Sequence, residues 1–195
     1  MENYNTVKSL LLKVSYLGMK NVSNSKALLI GHVPQIAPDA WLNCIYEPIS
    51  LKEIESIEES VGLKIPHSYK SFMLSFSNGL NILGDTISLF GYRFNYIRNS
   101  EEILWQPYDI IIPNLYERPK NATHNDFIIG SYEWDGSKLY INKDNEICYC
   151  KSEDITPLKK WNNLLGFLNN ELLRLYKLIG DDGVLYDASI KTTPV

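Results

Sequence analysis

Apolar positions recur at helical spacing in four stretches of the chain. Between residues 3 and 19, Val7, Leu10, Leu11, Val14 and Leu17 share a face and Gly18 can end the run, which predicts an amphipathic N-terminal helix. Leu51, Ile54, Ile57 and Val61 form a second stripe, with Lys52, Glu53, Glu55, Glu58 and Glu59 on the opposite side. Ser50 and Glu53 stand at capping-box spacing before it, and Gly62 sits where a left-handed stop residue belongs. Leu63 and Ile65 can pack back beneath this helix, and Pro66 fits a first helical position. Tyr69, Phe72, Met73 and Phe76 then make a third stripe, ended by Asn78-Gly79. At the far end, Thr156 as N-cap and Pro157 as first helical residue predict a long closing helix. Its stripe runs Trp161, Leu164, Leu165, Leu168, Leu172, Leu175, Tyr176 and Ile179, and Gly180 stops it.

Between the third and fourth stripes the apolar period shortens to two. Ile82, Thr86, Ile87, Leu89 and Phe90 suggest strand, and Tyr92, Phe94 and Tyr96 alternate with Arg93 and Asn95 as a half-buried strand would. Residues 99–125 hold Pro107, Pro113 and Pro119 and predict irregular chain that still buries Trp105, Tyr108 and Ile110 to Ile112. Phe127 to Trp134 is β-rich, Asp135-Gly136 marks a hairpin turn, and Leu139 to Ile141 return. Lys143-Asp144-Asn145 turns again into a third strand, Ile147 to Cys150. Nearer the N-terminus, Ala27 to Ile30 is too short to assign by period. Residues 34–48, with Pro34, Pro38 and Pro48 around Trp41, Leu42 and Ile45, predict a packed connector. The order predicts an α+β fold, helices packed on a mainly antiparallel twisted sheet. Three segments are expected: residues 1–46 as a helical extension and connector, 47–180 as the main domain, and 181–195 as a polar, loosely held tail.

With 195 residues, 45% hydrophobic and 22% charged, the chain can build an ordinary globular core. A formal net charge of −4 and a pI near 5.4 argue against a nucleic-acid surface. No apolar run approaches the roughly 20 residues that span a membrane, and the first residues are too polar for a secretory signal. Cys44, Cys148 and Cys150 are odd in number and lack disulfide spacing, which predicts reduced thiols and a cytoplasmic location.

Candidate chemistry is sparse. His32, His67 and His124 are isolated, and Cys148 and Cys150 form half a metal site at best. No nucleophile elbow and no phosphate loop is present. The Asn-Gly, Asp-Gly and Gly-Asp pairs read as turns. The acidic pairs Glu58-Glu59, Glu101-Glu102 and Asp181-Asp182 read as solvated faces. No catalytic residue, metal or cofactor is therefore expected. Aromatics are numerous (13 Tyr, 6 Phe, 4 Trp). Tyr92, Phe94, Tyr96, Tyr132, Trp134, Tyr140 and Tyr149 all fall on predicted strands. A stacking platform would need interleaved basic residues, which are missing, so sheet core and cross-strand pairs are the better reading. Tyr132 and Trp134 beside Glu133 and Asp135, at a hairpin tip, are protein-interface material. With Glu101 and Glu102 they form the candidate partner-binding set.

The block from Ser50 to Gly79 resembles the opening of the SUKH superfamily of Smi/Knr-like domains. That pattern is an amphipathic helix, then G-[LIV]-x-[LIV]-P-x-x-[YF]-x-x-F, then N-G. Gly62, Leu63, Ile65, Pro66, Tyr69, Phe72, Asn78 and Gly79 match every fixed position, and the meander and closing helix follow in order, so the resemblance spans roughly residues 47–180. It implies an α+β domain without enzymatic activity. Many bacterial members look like immunity proteins that bind and neutralise a cognate polymorphic or contact-dependent toxin domain, often a nuclease. Fungal relatives act as interaction hubs in cell-wall regulation. The matched residues are scaffold residues, and no binding residue carries over, because toxin-facing surfaces vary between members. The expected partner is thus a toxin domain, and the acidic charge would suit a basic nuclease. Two other classes stay open. One is an interaction or regulatory module of the same fold without a toxin. The other is an enzyme working in an aromatic cleft, which predicts a pocket of converging titratable groups. Oligomeric state is not set by these features.

Overall fold

In a computed structural model, which describes residues 3–94, 105–132 and 135–195, each local stop signal of the Ser50–Gly79 block is realised. Helix α1 spans Asn5–Leu11 and tightens into a 3-10 segment, Leu12–Leu17, before Gly18. Helix α2, Leu51–Val61, opens on the full capping box: Glu53 N–H donates to Ser50 Oγ and Ser50 N–H to Glu53 Oε2 at 2.6 Å. It closes on Gly62 at φ 71°, in the left-handed region. Helix α3, His67–Ser75, starts one residue later than expected, with Pro66 at its N-cap.

Strands β1 (Met19–Asn21), β2 (Leu28–His32) and β3 (Trp41–Ile45) precede α2. Strands β4 (Leu80–Ile82) and β5 (Ile87–Leu89) follow α3. A short helix α4 (Ile111–Leu115) leads to β6 (Phe127–Ser131), β7 (Lys138–Ile141), β8 (Ile147–Lys151) and β9 (Asp154–Trp161), and α5 (Leu164–Leu175) closes the order. The strands form one nine-stranded sheet in strict sequence order. Every strand pair in it is antiparallel. The fold is α+β, as the hydrophobic pattern predicts.

Several elements differ from that pattern. The unassigned run and the packed connector are β2 and β3, and β3 pairs with β4 through Ile45 and Leu80, so the first 46 residues extend the same sheet. Thr156 and Pro157 do not start a helix. They lie on β9, an edge strand whose outer side needs no ladder N–H, where proline is tolerated. The true cap of α5 is Asn163, which accepts from Gly166 N–H at 2.7 Å. Tyr92 and Phe94 are not on a strand, and Tyr96 lies outside the described residues. Asn78 explains why: its amide donates to Tyr92 O at 2.8 Å and its carbonyl accepts from Tyr92 N–H at 2.7 Å, taking the bonds a neighbouring strand would need. Nor is the tail loose. Arg174 Nη2 donates to Thr192 O at 2.6 Å, Tyr186 N–H to Leu178 O at 2.9 Å, and Thr192 and Thr193 are buried.

The sheet has two unlike faces. Ile30, Ile45, Leu80, Ile82, Leu89, Phe127, Ile129, Leu139, Ile141 and Ile147 meet α1, α2, α3 and α5 in the main core. The second face carries two smaller clusters. Ile128, Tyr140, Cys148, Cys150 and Ile155 make one, and Ala27, Leu29, Cys44 and Tyr46, packed by Trp41 and Trp105, make the other.

Candidate partner-binding surface

The signature residues are scaffold. Tyr69 is fully buried, and its hydroxyl donates to Phe90 O at 2.5 Å and Ile129 O at 3.2 Å, tying α3 to β5 and β6. Phe72 packs against Tyr4 and Phe76. Gly79, at φ 84°, lets Leu89 O approach to 2.7 Å of where a Cβ would stand.

The candidate contact residues separate. Glu101, Glu102, Glu133 and Trp134 lie outside the described residues. Tyr132, expected at the hairpin surface, is fully buried. Its hydroxyl donates to Glu171 Oε2 at 2.8 Å, and its ring stands edge-on to Tyr149 at 5.3 Å. The cause is a register shift in β6 between Ile128 and Gly130, which turns Tyr132 to the helix side. Asp135 is exposed on the hairpin and accepts from Ser137 N–H at 2.9 Å and Tyr149 Oη at 3.2 Å. It is the one member of the set seen at the surface among the described residues.

A cleft of about 570 Å³ opens beside the second face, between β3, the β4–β5 turn, residues 105–108 and the segment around 179–185. Cys44 and Asn81 belong to its lining, and the register puts Cys44 opposite Asn81 and Asn81 opposite Ser88. The turn above them is unusual: Leu83 (φ 49°), Gly84 (φ 59°) and Asp85 (φ 74°) are all left-handed. Leu83 N–H donates to Asn43 Oδ1 at 3.3 Å, Gly84 N–H to Leu42 O at 2.9 Å and Thr86 Oγ1 to Leu83 O at 2.8 Å, which holds the turn in place. Asp85 thereby reaches the cleft, where it accepts from the Asn81 amide and from Tyr108 Oη at 3.3 Å. Burial raises its pKa against the pull of those two bonds. Burial also pushes the Cys44 thiol up to about 12, so it is no nucleophile at neutral pH. The described lining includes no histidine; His32 stacks on Trp41 from outside and pairs with Pro38 O at 3.0 Å. The described lining also holds the Asp39 carboxylate, Tyr46 and Arg93. The chain's Gly-Asp pair announced a turn at residue 84, but nothing local said that it faces a cleft.

Among the described residues, no group of three or more His, Cys, Asp or Glu side chains could hold a metal ion, and no helix is long and apolar enough to cross a membrane. Residues 48–170 match the model of the SMI1 / KNR4 family (SUKH-1). No curated protein matches the chain.

Proposed function

The chain belongs to the SMI1/KNR4 family (SUKH-1), and from that premise we propose that it is a cytoplasmic immunity protein. It binds one cognate toxin domain of a polymorphic or contact-dependent system and blocks it without catalysis. The family match over residues 48–170 carries this reading, since members of the family are generally non-enzymatic, immunity-type proteins. The site chemistry is compatible with it: the cleft beside the second face offers the Asp39 and Asp85 carboxylates, phenols, Arg93 and a suppressed thiol, with no histidine in its described lining. Neutralisation then rests on shape and charge complementarity. A net charge of −4 speeds encounter with a basic nuclease domain, an effect that fades with salt. In this reading the exposed Asp135 hairpin, with Glu101, Glu102, Glu133 and Trp134, supplies part of the contact surface.

Co-expression with the toxin-like C-terminal domain encoded beside the gene tests the proposal. Restored growth with a co-purifying complex is expected. Unchanged toxicity with no complex sinks it, and a complex without protection marks a regulatory interaction module instead.

A further inference from the structure

We infer that the cleft under the β4–β5 turn is a receptor for a guanidinium group, the head of an arginine side chain presented by a protein partner. Three observations converge on it. First, Asp85 is a half-buried carboxylate whose partners, the Asn81 amide and the Tyr108 hydroxyl, are both neutral. The two buried glutamates differ: Glu58 holds Lys64 and Lys70, and Glu171 holds Lys159 and Arg174. Among the described residues no ion pair reaches Asp85; Arg93, which also lines the cleft, has interactions of its own. A carboxylate withdrawn from water without a counter-charge favours taking one up.

Second, hydrogen-bonding capacity is left unused beside it. Asn81, which lines the cleft, has its Oδ1 buried with no partner, although the great majority of buried polar atoms have one. Third, the walls include Trp41, Tyr46, Trp105 and Tyr108. Flat rings around a carboxylate suit a planar, weakly hydrated guanidinium better than a compact ammonium. The backbone agrees with this purpose. Two non-glycine residues, Leu83 and Asp85, are held left-handed in a turn that aims the carboxylate inward, and such positions gather at binding sites.

The inference rests on the proposed function only for the source of the arginine, so its test begins without a partner. The full chain is titrated with N-acetyl-arginine amide and with the neutral isostere N-acetyl-citrulline amide, followed by calorimetry and by the Trp and Tyr resonances. Saturable binding of the arginine probe is expected, with citrulline about tenfold weaker or more, the loss that follows removal of a charge-assisted bond. Asp85→Asn should lose the same factor. Asparagine tolerates a positive φ and can still accept from Asn81, so the turn survives, as an unchanged melting curve would verify. Tyr108→Phe should weaken binding by a smaller factor. No saturable binding, equal binding of the two probes, or an unaffected Asp85→Asn overturns the inference. Once a partner is in hand, the two readings fail separately. Probe binding without any toxin complex removes the proposed function and leaves the cleft. A toxin complex indifferent to Asp85→Asn, in a chain that ignores the probe, removes the cleft and leaves the function.

Discussion

Replacing Glu58 by alanine should cost the fold about 3 kcal/mol, and the arithmetic can be followed bond by bond. Glu58, expected on the solvated face of its helix, is instead buried in the last turn of α2, where Ile65, Lys64 and Lys70 partner it. Its Oε1 accepts from Ile65 N–H at 3.2 Å and pairs with Lys70 Nζ at 2.6 Å; its Oε2 pairs with Lys64 Nζ at 2.6 Å. It thus links α2, the Gly62–Pro66 connection and α3 through one carboxylate. Ile65 is buried, so its N–H would be stranded, at about 1–3 kcal/mol. The Lys70 pair, only partly exposed, adds about 1 kcal/mol at most. Lys64 is solvated and adds little. In a chain of this size the melting temperature should fall by roughly 6–12 °C. Urea unfolding followed by circular dichroism measures it, with Lys64→Ala as the control that leaves the midpoint near wild type. The pH dependence has a definite sign. Burial raises the Glu58 pKa, but the bonds from Lys64, Lys70 and Ile65 outweigh it and the folded value lies below 4.5. The stabilisation is therefore complete above the unfolded pKa and is lost as pH falls through the folded one. The gap between wild type and Glu58→Ala should narrow in that acid window. An alanine variant within 0.5 kcal/mol of wild type at neutral pH (an order of magnitude set by ordinary surface changes), or a gap that widens in acid, would refute the reasoning.

Further outcomes follow from other contacts. Tyr69→Phe removes the donor shared by Phe90 O and Ile129 O and should cost about 1 kcal/mol in urea unfolding, because Phe90 O loses this donor while Ile129 O keeps the Phe90 N–H. Gly62→Ala should lose only about 1 kcal/mol, as its Cβ meets nothing within 4 Å, whereas Gly79→Ala, driven into Leu89 O and Pro107, should fold poorly. Glu171→Ala strands Arg174 and Tyr132, so about 3–5 kcal/mol should be lost and hydrogen exchange should rise in residues 186–195, which Arg174 anchors through Thr192. Cys44, Cys148 and Cys150 are buried with raised pKa values, so a thiol reagent should find no reactive group in the native chain and three after denaturation.

What could be read along the chain were features closed within a few residues. Ser50 with Glu53, the left-handed Gly62 and the Asp135-Gly136 turn depend on neighbours alone, and the structure realises each. Elements whose identity depends on distant pairing were hidden. Thr156-Pro157 has the chemistry of a helix start, and Trp161 falls in phase with Leu164 and Leu168; only pairing with β8 makes the segment a strand. Strands β1 to β3 are too short to declare a period and are defined by one another and by β4. Tyr132 lies one residue past the end of β6, and the bulge near Gly130 turns it to the helix side; Gly130 is where Ser88 O comes within 2.5 Å of a would-be Cβ. The Asp85 cleft was illegible for the same reason. Its carboxylate, its aromatic walls and the Asn81 acceptor come from segments that meet only when the sheet forms.

The central claim is that this chain protects by direct, non-catalytic binding of a cognate toxin domain. The most direct measurement mixes purified chain and purified toxin domain, reading complex stoichiometry by size-exclusion chromatography and residual toxin activity in the same samples. Inhibition that rises in proportion to a fixed-ratio complex, and stops when the toxin is saturated, is the predicted result. Full toxin activity at saturating chain, or inhibition by far less than one chain per toxin with product turnover, would contradict it.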